Sequence, residues 1–253
     1  MRILVIGDSC QDMFRYGICE RLSPEAPVPV FKPTDTKING GMSINVMENI
    51  KAFGVECDIV TNDIRPTKTR YVDQVSNQII VRIDENDDVI TEITSQLFEL
   101  IQFEKYDAIV ISDYNKGFLS DVAIEKITEN HPLVFMDTKK KLGQWALGIE
   151  YLKINEKEYQ ENQEWLLTNN YYGGLIVTKG KNGAELDFGN KVFPIENEHP
   201  VRDLSGAGDT FLAALVVKYV ENKNIDEAIK FANKCASWVV TQKGVVSIDP
   251  KMI

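Results

Sequence analysis

The chain has 253 residues, of which 43% are hydrophobic and 26% charged, and a formal net charge of −10. That length suits one large α/β domain able to bury a sizeable core. The acidic balance argues against nucleic acid as a partner, and no run of 18 apolar residues is present to span a membrane.

The N-terminus reads straight into an apolar strand, without the layout of a leader peptide. Cys10, Cys19, Cys57 and Cys235 lack Cys-x-x-Cys spacing, and His131 and His199 are the two histidines. A zinc site is therefore not expected, and the thiols read as reduced packing residues of a cytoplasmic protein. Neither histidine sits in a motif, so both are expected at the surface and any general base should be a carboxylate.

Residues 2–6 (Arg-Ile-Leu-Val-Ile) predict a buried strand of a parallel sheet, with Asp12 in the loop beyond its C-terminal end. Pro24, Pro27, Pro29 and Pro33 break residues 13–38 into short extended pieces, which suggests a flap outside the sheet. Gly40-Gly41 should open a helix over residues 42–53 with Asn45 and Asn49 on one face, stopped by Gly54. Residues 57–60 predict a short strand. Residues 72–83 predict antiparallel strands pairing with the flap, giving lid segments of about 13–38 and 69–90 within a single domain, 1–253.

From residue 94 the pattern becomes regular. Helices are predicted over 95–103, 121–130 and 156–164, and strands over 108–111, 133–136, 151–154 and 175–178. This alternation implies a mostly parallel sheet with helices on both faces. Asp8, Ser112-Asp113, Asp137, Asn155 and Thr178-Lys179 fall just past strand ends, on the ligand edge of such a sheet. Gly189-Asn190 signals a hairpin between residues 184–188 and 191–195. Two helices, 207–220 and about 226–243, close the chain.

Between hairpin and helices, residues 203–210 read Asp-Leu-Ser-Gly-Ala-Gly-Asp-Thr. Gly206, Ala207 and Gly208 let an anion approach the unpartnered amides of a helix N-terminus, where the dipole is positive. Asp209 lies in the same turn. Amides that stabilise a phosphoryl group, beside a carboxylate that accepts a hydroxyl proton, are what phosphoryl transfer requires. A dinucleotide fingerprint fails at Phe211, and no Gly-Lys-Ser/Thr P-loop occurs. The plain alternative is a glycine-rich loop ahead of a helix.

Four motifs occur in order along nearly the whole chain: Gly40-Gly41 with Asn45, Asn155-Glu156-Lys157-Glu158, Thr178-Lys179-Gly180 with Gly183, and residues 203–210. In these the chain resembles the ribokinase/PfkB family of carbohydrate kinases. Residues 22–30 (Leu-Ser-Pro-Glu-Ala-Pro-Val-Pro-Val), 66–70 (Pro-Thr-Lys-Thr-Arg) and 112–117 (Ser-Asp-Tyr-Asn-Lys-Gly) are most similar to the kinase domain of heptose-7-phosphate kinases of the ADP-heptose pathway. The resemblance implies a ribokinase-like α/β fold with a small antiparallel lid, use of ATP and Mg2+ with a monovalent cation left open, and a homodimer joined through the lid. The implied reaction phosphorylates the anomeric hydroxyl of D-glycero-D-manno-heptose 7-phosphate to the 1,7-bisphosphate.

By the same resemblance Asp209 is the base, and Gly206, Ala207 and Gly208 supply anion-binding amides. Asp12, Gly40, Gly41 and Asn45 hold sugar hydroxyls, while Lys68 and Arg70, with Asp113 and Lys116, face the sugar phosphate. Asn155 and Glu158 serve metal and phosphates, Glu158 through water. Thr178, Gly180, Gly183 and Ser205 line the nucleotide side, and Asn233 faces the adenine. The plain readings remain open: a turn for Asp12, solvated charges for Lys68 and Arg70, a helix acid for Glu158 and a surface amide for Asn233.

The chain departs from the pattern. About 25 residues usual between Val60 and Arg65 are missing, Leu204 replaces a Val or Thr, Met42-Ser43-Ile44 replaces small residues, and the nucleotidyltransferase domain often fused to such kinases does not follow within these residues. A kinase for another sugar or a nucleoside, and a non-catalytic binding homologue, are the competing readings.

Overall fold

The N-terminal apolar run forms the strand on which the main sheet is built. β1 (Arg2–Gly7) sends Ile3 and Val5 into one core and Leu4 and Ile6 into the other, all at most 1% exposed. This is the period of two expected of a strand covered on both faces. The computed structural model describes residues 1–169, 171–196 and 200–253. β1 pairs in parallel with β4 (Glu56–Thr61) on one side and β7 (Ala108–Asp113) on the other. Beyond β7 the sheet continues in parallel through β8 (Val134–Thr138), β9 (Tyr151–Asn155) and β10 (Gly174–Thr178). The antiparallel strands β11 (Ala184–Leu186) and β12 (Lys191–Phe193) finish that edge.

α1 (Ser43–Ala52), α5 (Ala207–Asn222) and α6 (Ile225–Val239) cover one face of the sheet; α3 (Asp121–Asn130) and α4 (Glu156–Thr168) cover the other. α5 is buried all round from Asp209 to Val217 because it lies between α1 and α6 and over β7 and β8. Each Leu or Val so buried contributes roughly 1.5–3 kcal/mol relative to exposure, so the helix carrying residues 206–210 is anchored by its own core.

A second sheet forms the lid, in the order β3-β2-β5-β6. β2 (Ser9–Leu22) and β3 (Pro29–Met42) make an antiparallel hairpin, interrupted by bulges at Tyr16/Gly17 and Cys19/Leu22. The prolines did not shorten these strands as expected. Pro29 and Pro33 lie on an edge strand, where a missing N–H costs little. The expectation that residues 72–83 pair antiparallel with the flap is corrected: β5 (Thr67–Asp73) runs parallel to β2, and β6 (Ile79–Glu85) is antiparallel to β5. The reason is connectivity. β2 leaves β1 after a single residue and β5 leaves β4 after five, so the two lid strands keep the shared direction of the core strands that feed them.

Four further expectations are corrected. Gly40 and Gly41 belong to β3, and α1 begins at Ser43. The helix over 95–103 is reduced to α2 (Ser95–Glu99), which buries no residue, followed by a 3₁₀ turn at Phe103–Lys105. α6 stops at Val239 because the carbonyl of Val240 receives the amides of Arg202 and Asp203, at 2.8 and 3.2 Å. His131 is buried, its Nδ1 accepting from the Leu133 amide at 3.1 Å and its Nε2 bonded to the Tyr106 carbonyl at 3.0 Å. It clips the loops below the sheet together. The surface placement expected of His199 lies outside the described residues. No helix among the described residues is long and apolar enough to cross a membrane.

Candidate active site

Asp209 sits in the first turn of α5, 4% exposed, at the C-terminal edge of the parallel strands. Its Oδ2 accepts from Asn45 Nδ2 at 2.9 Å and its Oδ1 from the Tyr114 hydroxyl at 2.7 Å. Burial pushes its pKa up to about 6, partly opposed by those two hydrogen bonds. The carboxylate is therefore a better base near neutrality than a solvated aspartate, and it is charged above that value.

Each partner is itself held. Asn45 and Asn49 share a face of α1, as their spacing predicts, and Asn49 Nδ2 donates to Asn45 Oδ1 at 3.1 Å. Asn49 Oδ1 accepts from Thr210 Oγ1 at 3.2 Å and from the Ile248 amide at 2.9 Å, tying α1 to α5 and to the C-terminal segment. Tyr114 stands in a loop clamped by Asp8, 1% exposed, whose carboxylate accepts the amides of Tyr114, Lys116 and Phe118 at 2.8, 3.1 and 3.1 Å.

The start of α5 has the form its glycines suggest. Gly206 is left-handed at φ 79, with no side chain capping the helix, and a Cβ there would meet Asn45 Nδ2 at 2.7 Å. The Ala207 amide donates to the Leu204 carbonyl at 3.3 Å, while those of Gly208 and Asp209 have no acceptor among the described residues and are free for an anion. Ala207 and Gly208 line a cavity of about 390 Å³ together with Thr178, Gly180, Gly183 and Asn233. Four residues expected on the nucleotide side are thus brought to one place. Asn233 is no surface amide: it is 7% exposed and donates to the Phe193 carbonyl at 2.8 Å. Ser205 lies at the end of the preceding turn, its amide on Asp203 Oδ1 at 2.9 Å.

Asn155 and Glu158 form a reciprocal capping box on α4. Asn155 Oδ1 accepts the Glu158 amide at 2.9 Å, and Glu158 Oε2 accepts the Asn155 amide at 2.8 Å. Glu158 Oε1 also receives Lys139 Nζ at 3.3 Å, and its side chain is 12% exposed, which sets aside the reading of a solvated helix acid. Lys139 Nζ stands 5.0 Å from the centre of the Tyr114 ring.

On the lid, the pairing register places Asp12 beside Lys68 and Phe14 beside Arg70. Paired positions point to one face, so all four side chains share a face of the lid sheet. Asp12 does not lie in a loop as expected but within β2, 6% exposed, where its Oδ1 accepts from Arg70 Nη1 at 2.5 Å. Its other oxygen lies against Gly41, where a Cβ would come within 2.3 Å; Gly40 likewise faces Ile44, leaving no room for a side chain. Lys68 is 8% exposed, 6.0 Å from the Tyr114 ring centre, and has no hydrogen bond or ion pair among the described residues. Two residues expected at the sugar phosphate have protein partners in this structure. Asp113 accepts from Thr138 Oγ1 at 2.7 Å and the Asn115 amide at 3.0 Å, its pKa pushed up to about 6 by burial. Lys116 pairs with Asp87.

Sequence reasoning missed Tyr114, the clamping role of Asp8, and a buried pair in which Lys153 Nζ donates to Asp137 Oδ2 at 2.5 Å. Lys153 had a signal: a lysine between Leu152 and Ile154, within a strand otherwise read as buried. Burial lowers its pKa, but Asp137 more than offsets this and holds it above the ordinary lysine value.

A buried carboxylate at a helix N-terminus, with a cavity of about 390 Å³ on one side and the lid bearing Lys68 on the other, is an arrangement suited to phosphoryl transfer. Residues 45–252 match the sequence model of the pfkB family of carbohydrate kinases. The chain belongs to that family, whose members transfer a phosphoryl group to an alcohol acceptor. It is 30% identical to the bifunctional protein HldE of Nitratiruptor sp. over 291 aligned positions, covering 97% of this chain and 63% of that protein. It is also 30% identical to the bifunctional protein HldE of Helicobacter pylori, covering 96% and 63%. The chain thus spans less than two thirds of the length of these relatives. Since 291 aligned positions exceed its 253 residues, the relatives also carry residues with no counterpart here. Among solved structures it resembles a ribokinase from Thermotoga maritima, with a TM-score of 0.71 at 20% identity, covering 98% of this chain and 96% of that one. Arabidopsis thaliana ribokinase complexed with ribose and ATP gives 0.70 at 17% identity, with the same coverage. These likenesses show the ribokinase-like fold.

Proposed function

We propose that the protein transfers the γ-phosphoryl group of ATP to the anomeric hydroxyl of D-glycero-D-manno-heptose 7-phosphate. The observation that carries this reading is Asp209, buried and poised between the α5 amides and a lid whose Lys68 makes no ion pair among the described residues. The bifunctional HldE relatives support the heptose assignment. In this mechanism Asp209 accepts the proton of the acceptor hydroxyl, Asn45 and Tyr114 orient it, and the amides of Gly206, Ala207 and Gly208 face the charge on the transferring group. Asp12, Gly40 and Gly41 border the space for sugar hydroxyls; Thr178, Gly180, Gly183, Ser205 and Asn233 border the nucleotide.

Magnesium fits this arrangement through water. Glu158 spends its carboxylate on the Asn155 amide and Lys139, and among the described residues no three His, Cys, Asp or Glu side chains converge to hold a metal. An ion carried chiefly by phosphates needs no such cage, and when bound it neutralises phosphate charge.

The test is turnover of ATP with the heptose 7-phosphate and with the unphosphorylated heptose. Charge-assisted contacts are worth roughly 1.5–3 kcal/mol, so Lys68→Ala should lower kcat/KM for the phosphorylated sugar by about 10–150-fold. The unphosphorylated sugar should be affected far less. Equal losses on both would remove Lys68 from phosphate recognition, and a wild type that prefers the unphosphorylated sugar would overturn the heptose-phosphate reading.

The lid also supports a homodimer. β6 is an edge strand, and Val81, Ile83 and, across the sheet, Ile38 are 46%, 43% and 53% exposed. Soluble proteins cover such edges. Light scattering at micromolar concentration should give twice the chain mass; a stable monomer would refute pairing through the lid.

A further inference from the structure

Lys153 is the anomalous residue of β9. Its neighbours Leu152 and Ile154 enter the core beneath α3 and α4, so Tyr151 and Lys153 point to the opposite face. There Tyr151 packs on Phe135 and Tyr219. Lys153, one step nearer the ligand edge and 4% exposed, lies under the start of α5: a Cβ on Gly208 would come within 3.1 Å of its Nζ. An ammonium has three N–H donors, and Asp137 Oδ2 is its single hydrogen-bond acceptor among the described residues.

As a purely structural device this is poor. A cation at a helix N-terminus opposes the dipole, and a buried ion pair stabilises little beyond what apolar residues would give. The placement becomes favourable once an anion sits between ammonium and amides. The carboxylates whose charge reaches Lys153 are Asp137, Glu158 and Asp209, so the ammonium feels both the base and the acid assigned to the metal-nucleotide.

We propose that Lys153, positioned by Asp137, is a further catalytic residue that binds the γ-phosphoryl group of ATP. The proposal rests on the kinase reading above. As transfer proceeds, the bond from the γ-phosphorus to the β,γ-bridging oxygen breaks, leaving ADP, and the bond to the acceptor oxygen forms. The acceptor proton goes to Asp209. Lys153 keeps its proton and contributes charge alone.

MgATP and MgADP titrated calorimetrically into wild type, Lys153→Met and the double variant Asp137→Asn/Lys153→Met test this without any sugar. Losing a charge-assisted contact made only to the third phosphate should weaken MgATP about 10-fold or more while MgADP stays within about threefold. The double variant, which leaves no lone buried charge, should show the same split, so misfolding of the single variant does not decide the question. Equal effects on both nucleotides, or no effect on either, would overturn the role of Lys153 while the kinase reading stands. A wild type that binds neither nucleotide would overturn both.

Discussion

Replacing Asp209 with Asn should lower kcat by about 10²–10⁴, the usual contribution of one general base, with nucleotide affinity retained. Asn can still accept from Tyr114 but cannot take up the hydroxyl proton. The pH dependence offers a second reading of the same prediction. Asp209 works as a base only when ionised, so the wild-type rate should fall as pH drops through about 6, and the residual rate of the variant should lack that limb. Stability moves the opposite way. A carboxyl whose folded pKa lies above its unfolded value is stabilising when protonated, and that contribution is lost as pH rises from about 4 through about 6. At neutral pH the buried charge therefore costs on the order of 3 kcal/mol, and Asp209→Asn should melt no lower than the wild type. Near-normal kcat in the variant would remove Asp209 from the role of base.

Arg70→Ala should show its largest effect in stability. The Asp12 and Arg70 side chains are 9% and 10% exposed, so the truncation leaves a buried carboxylate without its cation. Breaking one side of such a pair typically costs about 3–5 kcal/mol, to which loss of the guanidinium stacked 5.0 Å from the Phe14 ring centre adds. Denaturant titration should show this loss, and Asp12→Ala in the same chain should recover much of it, because no lone charge then remains. A single variant within about 0.5 kcal/mol of the wild type would mean that water already reaches the pair. The structure thereby divides two cations that the sequence presented alike: Arg70 is committed to Asp12, and Lys68 retains its donors.

What was legible in the chain was what local pattern controls. The apolar runs ending in polar residues located β1, β7, β8, β9 and β10, and Gly206 to Asp209 marked the turn into α5, because strand period and glycine conformation are read over a few residues. The lid was harder. Its parallel pairing depends on which core strands feed it, a non-local fact that no run of residues displays. The ion pair of Asp12 with Arg70 and the contact of Tyr114 with Asp209 span 58 and 95 residues of sequence, so spacing could not announce them. Lys153 was visible as a charge in an apolar strand, yet its surroundings come from α5, far along the chain. The helix over residues 95–103 was cut short for a different reason: α2 buries none of its residues fully and rests on the core through Phe98 alone, and apolar periodicity stabilises a helix only as far as something packs against it.

Asp8 is one residue long as a connection, yet three parts of the molecule meet on it. It is the whole link between β1 and β2, its carbonyl accepts the Ser43 amide at the start of α1 at 3.0 Å, and its carboxylate gathers the loop bearing Tyr114. α1 carries Asn45 and the gathered loop carries Tyr114, the two groups that grip Asp209. One residue thus ties the first lid strand to both donors that hold the Asp209 carboxylate, alongside the direct run of β3 into α1.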